Sequence, residues 1–395
     1  MKLVLLMWPD TFEDWYGPLG IDRRTYVETY DGEWTVTVAR ALARRGVEVH
    51  LVFGTLAEPG CERQASSGAV VHFVPASWPY RALRRAVWGH SHWERVEWAW
   101  RLAPLLSTAS PKLVAHLRQL APDVVVVQDY ETPRFDVAAL LLPWFGLHVA
   151  GLDTGGSAAP SRMPWKGWTA RRAHTLLAAH AAELERVRRD RRPRRSGVWP
   201  APLRSDIYEP GERAAARREL GVEPGARIVL SVGRLHPVKG LHDLADACAD
   251  LDCELVLVGA GSEEDALRSR ERLRLTGRLA PEAVSRWYKA ADVVALASRH
   301  EGQPVAIFEA FACARGVVAT AVGGVPEVVI PGETGWLVPP RDTNALRSAL
   351  ADALAHPEEA DRRGAEGRRR ILERHGEEAA GRALVDLLRF EGAGD

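Results

Sequence analysis

Two basic residues in the second half of the chain stand where a strand is expected to end. Residues 228–232 form an apolar run, Gly233 then permits a tight turn, and Arg234 and Lys239 follow within a few positions. Two cations at the carboxyl end of a strand, with a helix N-terminus within reach, would suit a diphosphate. The alternative is a solvated pair of side chains on a loop.

Two carboxylates follow a later apolar run, residues 293–297. Glu301 is expected in a loop, Pro304 suits the first turn of a helix, and Glu309 lies further along that otherwise apolar helix. Because an unpaired buried charge is costly, Glu309 needs partners, and the vicinal hydroxyls of a ribose would suit a carboxylate. An ion pair between Glu309 and an arginine is the alternative.

The elements that position these residues alternate along the chain. Short apolar runs predict buried strands, and the amphipathic stretches between them predict helices. This alternation predicts an α/β architecture with parallel sheets and right-handed crossovers. The predicted strands include residues 3–8, 47–53, 124–127, 228–232, 255–258 and 293–297.

The predicted strands fall into two groups, separated by a change in composition. Residues 186–195 are rich in arginine, and the prolines and glycine of residues 193–202 are typical of a linker. We therefore expect a first domain over residues 1–197 and a second over 198–376, with a C-terminal helix at 377–392 packed back on the first. Two Rossmann-like, doubly wound domains would face a central cleft, with the ligand at the carboxyl ends of the strands.

The composition excludes several classes of protein. The chain has 395 residues, of which 46% are hydrophobic and 26% charged, as in a soluble globular protein. Lys+Arg and Asp+Glu both number 52, so no overall charge favours nucleic acid as a partner. Four scattered cysteines fit reduced thiols in a cytoplasmic protein better than disulfides or a zinc site, and no apolar run is long enough to span a membrane. The excess of arginine over lysine is typical of a GC-rich bacterial genome.

A series of motifs in the second half resembles the donor domain of the family-four glycosyltransferases, which are retaining enzymes of the GT-B fold. Their order and spacing match, and together they are far more specific than any single glycine-rich loop. The matching pieces are residues 232–235 with 239–240, 257–261, 275–278, 291–293, the Glu301 to Glu309 element, 322–327 and 332–339. One departure is Ala314-Arg315-Gly316, where the family usually has Gly-x-Pro, and we expect it to alter a turn.

The resemblance implies roles for the matching residues. Arg234 and Lys239 would hold the leaving diphosphate, Glu301 would contact hydroxyls of the donor sugar, and Glu309 would bind the ribose. Cations aimed at the charge that develops on the diphosphate would be the largest catalytic contribution. The resemblance also implies that Gly233 binds the donor and that the loop of Gly277, Arg278 and Leu279 contacts the base. It further implies a donor-binding turn made of Gly302, Gln303, Pro304 and Val305. In that turn, the backbone N–H groups of Gly302, Gln303 and Val305 would line the sugar and phosphate.

The implied reaction moves a hexosyl group from a UDP-, GDP- or ADP-linked sugar to an acceptor hydroxyl, with retention of anomeric configuration and with no metal or other cofactor. Asp250-Leu251-Asp252 mimics an Asp-x-Asp metal motif, but its expected place in a helix-to-strand turn indicates a chance match. Two alternatives remain open, namely a sugar-nucleotide epimerase of the same fold and a non-catalytic protein that binds nucleotide sugars.

The first half carries weaker candidates for the acceptor side. Related enzymes often have His followed by Asp after the strand at residues 124–127, whereas this chain has Gln128 and Asp129, with Glu131 two positions later. A glutamine can bind a sugar hydroxyl but cannot shuttle a proton. Gly32 is the candidate for close backbone approach to the donor. Residues 9–34 are expected to be an extended segment whose aromatics either form an acceptor platform or pack on one another.

Two further segments suggest anionic or membrane partners, and neither interpretation is favoured. Residues 78–101 mix tryptophan and arginine, but at about 100° per residue the tryptophans form no single stripe, so core or acceptor-pocket packing is preferred to a peripheral membrane contact. The arginines of residues 186–195 could hold an anionic acceptor, although the solvated end of a helix is the simpler expectation.

Overall fold

The structure, a computed structural model, describes residues 1–31, 34–88, 97–154 and 163–389. Contacts divide the chain into two compact units, one comprising Met1–Pro200 with Gly381–Asp395 and the other Ala201–Ala380. The division falls at residue 200, and the sequence predicted a boundary near residue 198. Among the described residues, no helix combines the length and the apolar character needed to cross a bilayer.

The first unit contains a sheet that, within the described residues, has eight strands. Seven lie parallel, and the third runs antiparallel to the fourth at one edge. The strands are β1 Lys2–Thr11, β2 Glu48–Thr55, β3 Gly60–Arg63, β4 Val70–Pro75, β5 Val124–Gln128, β6 Val149–Leu152, β7 Thr175–Ala178 and β8 Arg195–Val198, and their order across the sheet is β3-β4-β2-β1-β5-β6-β7-β8.

Helices connect these strands. They are α1 Phe12–Tyr16, α2 Arg23–Glu28, α3 Trp34–Ala43, α4 Trp78–Trp88, α5 Glu97–Thr108, α6 Pro111–Leu120, α7 Pro133–Leu141, α8 Lys166–Arg172 and α9 Ala181–Arg191. The central strand β5, Val-Val-Val-Val-Gln, is buried along its whole length, which explains its continuous apolar sequence.

The second unit contains a parallel sheet with six strands among the residues described. The strands are β9 Ile228–Val232, β10 Glu254–Val258, β11 Leu273–Leu275, β12 Val293–Leu296, β13 Gly316–Thr320 and β14 Gly335–Val338, in the order β11-β10-β9-β12-β13-β14. The helices are α10 Arg213–Glu219, α11 Leu241–Cys248, α12 Glu264–Leu267, α13 Pro281–Ala290, α14 Val305–Ala312, α15 Thr343–Ala355 and α16 Pro357–His375. The last helix, α17 Glu377–Leu388, begins in the second unit and ends in the first. The predicted class, two parallel-sheet α/β domains, is confirmed.

The last helix ends on the first unit. Leu387 lies against Gly197 in β8, and Gly381 lies against the carbonyl of Ala41 in α3, where a larger residue would collide with backbone. Arg195 donates a hydrogen bond to the carbonyl of Arg389. The end of α17 therefore covers the β8 edge of the first sheet.

Each sheet has one place where the strand order reverses direction. In the first unit this point lies between β1 and β5, and in the second it lies between β9 and β12. The loops after two such strands leave the sheet on opposite sides, which opens a crevice at their carboxyl ends where ligands of doubly wound proteins bind. The predicted site residues follow β5, β9 and β12.

Two local predictions from the sequence were wrong. Residues 9–34 were expected to be an extended segment, but over the described residues 9–31 β1 continues to Thr11 and helices α1 and α2 follow. Their aromatics pack on one another: Phe12 and Tyr16 stack with ring centroids 4.8 Å apart, and Tyr26 meets Phe12 edge-on at 5.4 Å. These three side chains are buried and offer no platform for an acceptor, whereas Trp15 is 37% exposed.

The proline- and glycine-containing stretch after residue 192 was interpreted as a linker, but it contains strand β8. Arg195 to Val198 pair with Thr175 to Ala178, so the segment completes the first sheet. Pro193 precedes the strand and therefore costs no ladder hydrogen bond. Composition alone could not distinguish an edge strand of this kind from a linker.

Candidate functional site

The loop after β9 approaches a neighbouring loop more closely than side chains would allow. The Gly233 N–H donates to the Val258 carbonyl at 2.9 Å, and Gly233 has a φ of +150°, which disfavours other residues. A Cβ added at Gly259 would lie 1.9 Å from the Gly233 carbonyl oxygen. The two glycines thus allow the ends of β9 and β10 to come together, and neither glycine has a side chain to cover its backbone.

A second glycine contact fixes the position of Lys239. Residues Pro237–Lys239 form a 3-10 turn that ends at Gly240, which has a φ of +60°. A Cβ at Gly240 would lie 2.1 Å from the carbonyl oxygen of Ala297, and the Arg299 N–H donates to the Val238 carbonyl at 2.7 Å. The turn after β9 is therefore held against the end of β12, at the reversal point of the sheet.

Lys239 and Glu301 meet there as an ion pair. The Nζ of Lys239 donates to Oε1 of Glu301 at 2.6 Å, and the Ser298 hydroxyl donates to the same oxygen at 2.6 Å. The Glu301 side chain is 8% exposed and that of Lys239 is 20% exposed, so a ligand can still reach the lysine. An ammonium group has three N–H donors, and this pair uses one of them.

Arg234 lies beside this pair and is exposed. A Cβ added at the preceding residue, Gly233, would lie 4.0 Å from Cε of Lys239. The backbone of Arg234 is therefore next to the lysine. Within the described parts of the chain, no hydrogen bond or ion pair involves the Arg234 guanidinium. Its charge is therefore available to an anion from solution.

The loop after β13 supports the Glu301 loop from behind. The Thr320 hydroxyl donates to the Ser298 carbonyl at 2.6 Å, and the Gly324 N–H donates to the Gly302 carbonyl at 3.1 Å. Gly323 has a φ of +51°, and a Cβ there would lie 1.6 Å from the carbonyl oxygen of Glu301. Ser298 and Thr320 were not singled out from the sequence, since isolated hydroxyl residues carry no recognisable spacing.

The turn before α14 agrees only partly with its predicted role. The Val305 N–H, predicted to line the sugar and phosphate, instead donates to the Gln303 carbonyl at 2.9 Å. Pro304 is the N-cap of α14 and has no N–H, while the Gln303 side-chain oxygen accepts from the Ala201 N–H at 2.9 Å. In this structure the turn from Gly302 to Val305 thus satisfies that donor internally, and the role of the Val305 N–H toward the sugar and phosphate stays a prediction.

Glu309 has tyrosine partners rather than the arginine considered from the sequence. The Tyr288 hydroxyl donates to Oε2 of Glu309 at 2.9 Å, and the Tyr208 hydroxyl is a second partner. Burial raises the pKa of Glu309 to about 7, although both hydroxyls act to lower it. Neither tyrosine could be found from the sequence, because Tyr208 lies far from Glu309 along the chain and Tyr288 lies on the buried face of α13.

The predicted base-contacting loop adjoins the same glycines. The Gly259 N–H donates to the Gly277 carbonyl at 2.9 Å, and Gly277 has a φ of +72°. Arg278 is exposed and Leu279 is half-buried. Through Gly259, the structure thus links the Gly277 loop to Gly233 and so to Lys239 and Glu301.

Asp250 and Asp252 lie between α11 and β10, in the helix-to-strand turn expected from the sequence. Their carboxylates pair with Arg347 at 3.3 Å and with Arg272 at 3.5 Å, respectively. In the described chain, no group of three or more His, Cys, Asp or Glu side chains is arranged to hold a metal ion.

In the first unit, Gln128 and Asp129 stand at the carboxyl end of β5, beside the reversal point. Asp129 has a φ of +54°, an uncommon conformation for a residue with a side chain and typical of functional sites. Its Oδ1 accepts from the Thr154 hydroxyl at 2.8 Å, and the Gln128 amide donates to that hydroxyl at 3.1 Å. Burial raises the pKa of Asp129 above its usual range.

Glu131 does not join this group. Its carboxylate accepts from Arg186 at 2.7 Å and from Arg191 at 3.1 Å, and its side chain is almost fully buried. The Glu131 carboxylate thus pairs with two guanidinium groups of the arginine-rich segment, and its acceptor-side role stays a prediction. Gly32 lies outside the residues that the structure describes.

Among the tryptophans of residues 78–101, the structure describes the exposure of one side chain, that of Trp78. Trp78 is 78% exposed, so the core or pocket packing expected for this set is wrong for that residue. Trp93 and the side chains of Trp88, Trp98 and Trp100 lie outside what the structure describes. At the departure from the family motif, Ala314 takes a φ of +56° just before β13, a conformation that favours glycine.

Comparison with known proteins finds a family match for part of the second unit. Residues 226–356 match the family Glycosyl transferases group 1. Among curated proteins, D-inositol 3-phosphate glycosyltransferase of Mycolicibacterium gilvum is 34% identical over 200 residues, covering 47% of this chain and 43% of that protein. The same enzyme of Geodermatophilus obscurus is 35% identical over 187 residues, covering 42% of each chain. The chain thus spans less than half the length of these relatives.

Solved structures resemble the chain over nearly its whole length. Sucrose-phosphate synthase from Thermosynechococcus elongatus has a TM-score of 0.77 at 21% identity, with 98% of both chains covered. Anabaena Alr3699/HepE, in complex with UDP and glucose, has a TM-score of 0.69 at 19% identity, covering 98% of this chain and 99% of that one. An Escherichia coli protein titled trehalose-6-phosphate, bound with UDP-2-fluoro glucose, has a TM-score of 0.71 at 15% identity, with 99% of both chains covered.

The architecture is therefore the GT-B fold of glycosyltransferases. Within it, residues 226–356 form a glycosyl transferases group 1 domain, so the predicted resemblance is confirmed for the second unit.

Proposed function

We propose that this protein is a retaining glycosyltransferase that moves a hexosyl group from a nucleoside diphosphate sugar to an acceptor hydroxyl, without a metal or other cofactor. The matched relatives are named as glycosyltransferases, and the matched domain contains all four of Arg234, Lys239, Glu301 and Glu309. A cytoplasmic location is part of this proposal, because the four cysteines are free thiols.

The observation that carries the proposal is the meeting of Lys239 with Glu301 at the point where the order of strands reverses. A cation and a carboxylate share the end of β12 there, 2.6 Å apart, and the exposed Arg234 stands beside them. A diphosphate needs the cations, and a sugar attached to it offers hydroxyls to the carboxylate. This combination supports a sugar nucleotide more specifically than it supports a simple phosphate.

In the proposed reaction, the acceptor oxygen bonds to the anomeric carbon of the donor sugar, and the bond from that carbon to the diphosphate breaks. The hydroxyl proton passes to the departing diphosphate, so no separate protein base is needed. Arg234 and Lys239 would stabilise the charge that develops on the diphosphate, and such preorganised donors contribute on the order of 3 kcal/mol each. Glu301 would hold sugar hydroxyls, and Glu309 would hold the ribose.

The acceptor would be held by the first unit. Gln128 and Asp129 stand at the reversal point of its sheet, tied to each other through Thr154. Because burial raises the pKa of Asp129, that carboxyl group suits a hydrogen-bonding role toward an acceptor hydroxyl. We assign it no proton-transfer role.

The first test is a thermal-shift screen with UDP-, GDP- and ADP-linked glucose, followed by product analysis by mass spectrometry. UDP-glucose is tried first, because HepE and the Escherichia coli protein were solved with uridine nucleotides. The proposal expects a rise in Tm with one nucleotide sugar and sugar transfer to an acceptor from a panel of polyols and sugar phosphates. An epimer formed from the donor alone would favour an epimerase, and nucleotide binding with no turnover on any acceptor would favour a non-catalytic binding protein.

A further inference from the structure

A solvent-facing aromatic surface lies on α8, in the first unit. Trp165 is 48% exposed and Trp168 is 51% exposed. The two stand three positions apart at the start of the helix, a spacing that puts side chains on the same face. Large aromatic side chains exposed together usually mark a surface that contacts another body.

The polar edge of one of these rings points inward. The Trp165 indole N–H donates at 3.2 Å to Oδ2 of Asp136, a residue that is itself buried. The part of the Trp165 ring that remains exposed is therefore apolar. A ring oriented in this way can enter a hydrocarbon boundary without leaving its N–H unsatisfied.

Arginines surround the aromatic surface. Arg172 lies 5.5 Å from the centroid of the Trp168 ring, and Arg171 is exposed on the same helix. Helix α9 packs beside α8, because a Cβ at Gly167 would lie 3.8 Å from the carbonyl oxygen of Asp190. Exposed residues of α9 and the turn after it include Arg188, Arg189, Arg192 and Arg194.

Acidic side chains do not cancel this charge. Glu185 pairs with Arg188 at 3.2 Å, and Asp190 pairs with Arg189 at 2.9 Å. Among the described residues, Arg171, Arg192 and Arg194 form no ion pair. The buried Lys166 at the start of α8 is paired with Asp136 at 2.9 Å, so it adds no net charge to this surface. The excess positive charge thus faces outward.

The topology places both helices on one side of the sheet. Strands β5, β6, β7 and β8 are consecutive in sequence and adjacent in the sheet, so right-handed crossovers put α7, α8 and α9 on the same face. The exposed sides of α8 and α9 therefore lie on the same face of the sheet, and that face carries both the aromatic rings and the exposed guanidinium groups.

We propose that this α8–α9 surface docks on an anionic lipid bilayer. Indole rings enter the region between headgroups and acyl chains, and guanidinium groups attract anionic headgroups. A nucleic acid would also satisfy the arginines, but it would not need an apolar ring edge on the surface. This inference is independent of the proposed reaction, because none of its residues belongs to the site in the second unit.

The test compares two matched double variants of the full chain in vesicle flotation. Trp168→Ala with Arg171→Glu alters the α8–α9 surface, and Trp78→Ala with Arg85→Glu makes the same changes at an exposed tryptophan and arginine of α4. Trp165 is left unchanged because its indole supports Asp136. Vesicles are phosphatidylcholine alone or with about one-third phosphatidylglycerol, and each variant is checked for the Tm of the wild type.

The proposal expects binding to the phosphatidylglycerol vesicles that weakens as salt rises, with the α8 variant at least about tenfold weaker and the α4 variant unchanged. It is overturned by equal binding to both kinds of vesicle, by equal weakening in the two variants, or by tighter binding to duplex DNA than to the vesicles. Sugar-nucleotide binding is measured on the same samples, so a failure of the proposed reaction is seen separately.

Discussion

Burial and two tyrosine hydroxyls act in opposite directions on the charge of Glu309. Burial raises the pKa of its carboxyl to about 7, and the hydrogen bonds from Tyr288 and Tyr208 keep that value from rising further. A carboxylate that binds vicinal ribose hydroxyls must accept hydrogen bonds through both oxygens, and only the ionised form does so fully. If Glu309 binds the ribose as proposed, its ionised fraction therefore controls nucleoside affinity across neutral pH.

Nucleotide affinity is expected to rise with pH, with a midpoint near the Glu309 pKa of about 7. Below the midpoint the carboxyl is protonated and accepts hydrogen bonds less well, while above it the carboxylate is formed. A drop from pH 8 to pH 6 should weaken nucleoside binding about tenfold. Isothermal titration calorimetry with the free nucleoside measures this without any contribution from phosphate ionisation.

Glu309→Gln is the control for that experiment, since an amide does not titrate, and its affinity should be low and flat across the same pH range. Tyr288→Phe removes one hydrogen bond that lowers the Glu309 pKa, so its midpoint should move to higher pH. A wild-type profile as flat as that of Glu309→Gln would remove Glu309 from ribose binding.

At the scale of elements, three loops hold the site through backbone contacts that only glycine permits. The loop after β13 touches the Glu301 loop at Gly323, the loop after β9 touches the end of β12 at Gly240, and the end of β10 touches Gly233 at Gly259. Glu301 and Lys239 meet because these backbones approach closely. The geometry of the site thus depends on positions that carry no chemistry themselves.

Gly323→Ala should both destabilise the protein and reduce turnover by about tenfold or more. Its Cβ would lie 1.6 Å from the Glu301 carbonyl oxygen, so the Glu301 loop must move, and small displacements at a reacting centre are costly. Steady-state kinetics and a thermal melt measure the two effects.

Gly332→Ala is the control for Gly323→Ala, because it introduces the same backbone strain without disturbing the contact between the two loops. Gly332 also has a positive φ, +78°, but a Cβ there meets nothing within 4 Å. It should therefore lose about 1 kcal/mol of stability while keeping its activity. Equal turnover in the two variants would contradict the idea that the β13 loop positions Glu301.

The sequence predicted three strands of the second unit, β9, β10 and β12, to within one residue at each end. β9 was predicted at its observed residues, and the motifs there are local: a strand, a glycine and a charge within a dozen positions. The first unit was harder, because its edge strand β8 resembles a linker in composition and the helices after β1 are short. The partners of Glu309 and Glu301 were missed, since Tyr208, Tyr288, Ser298 and Thr320 reach the site only through the fold.

At the scale of the whole molecule, both units bury neutral histidines. In the first, His72 lies among His50 and His116, and burial together with these neighbours lowers its pKa to about 4. In the second, burial lowers the pKa of His375 to about 4, although its ring donates to the Ala201 carbonyl at 3.0 Å. Unfolding would return both to ordinary values, so the unfolded chain binds more protons between about pH 4 and pH 6.5.

Stability should therefore fall as pH drops from 6.5 toward 4, by about 2 to 3 kcal/mol from each of these two histidines. Thermal melts from pH 7.5 to pH 4.5 measure the loss. His72→Phe keeps a ring of similar size without a titrating group, so the variant's Tm should depend less steeply on pH than that of the wild type. An unchanged pH dependence in His72→Phe would show that the histidines of the first unit do not set acid stability.

The central claim is that Lys239 serves the diphosphate at the reversal point of the second sheet. The most direct measurement is the kcat of Lys239→Ala with the donor found in the nucleotide-sugar screen. The affinity of the same variant for the free nucleoside is measured alongside, and Lys289→Ala is the matched lysine control. The account predicts that kcat falls about 10²-fold while nucleoside affinity stays near that of the wild type, and that Lys289→Ala changes neither. Turnover in Lys239→Ala equal to that of the wild type would contradict it.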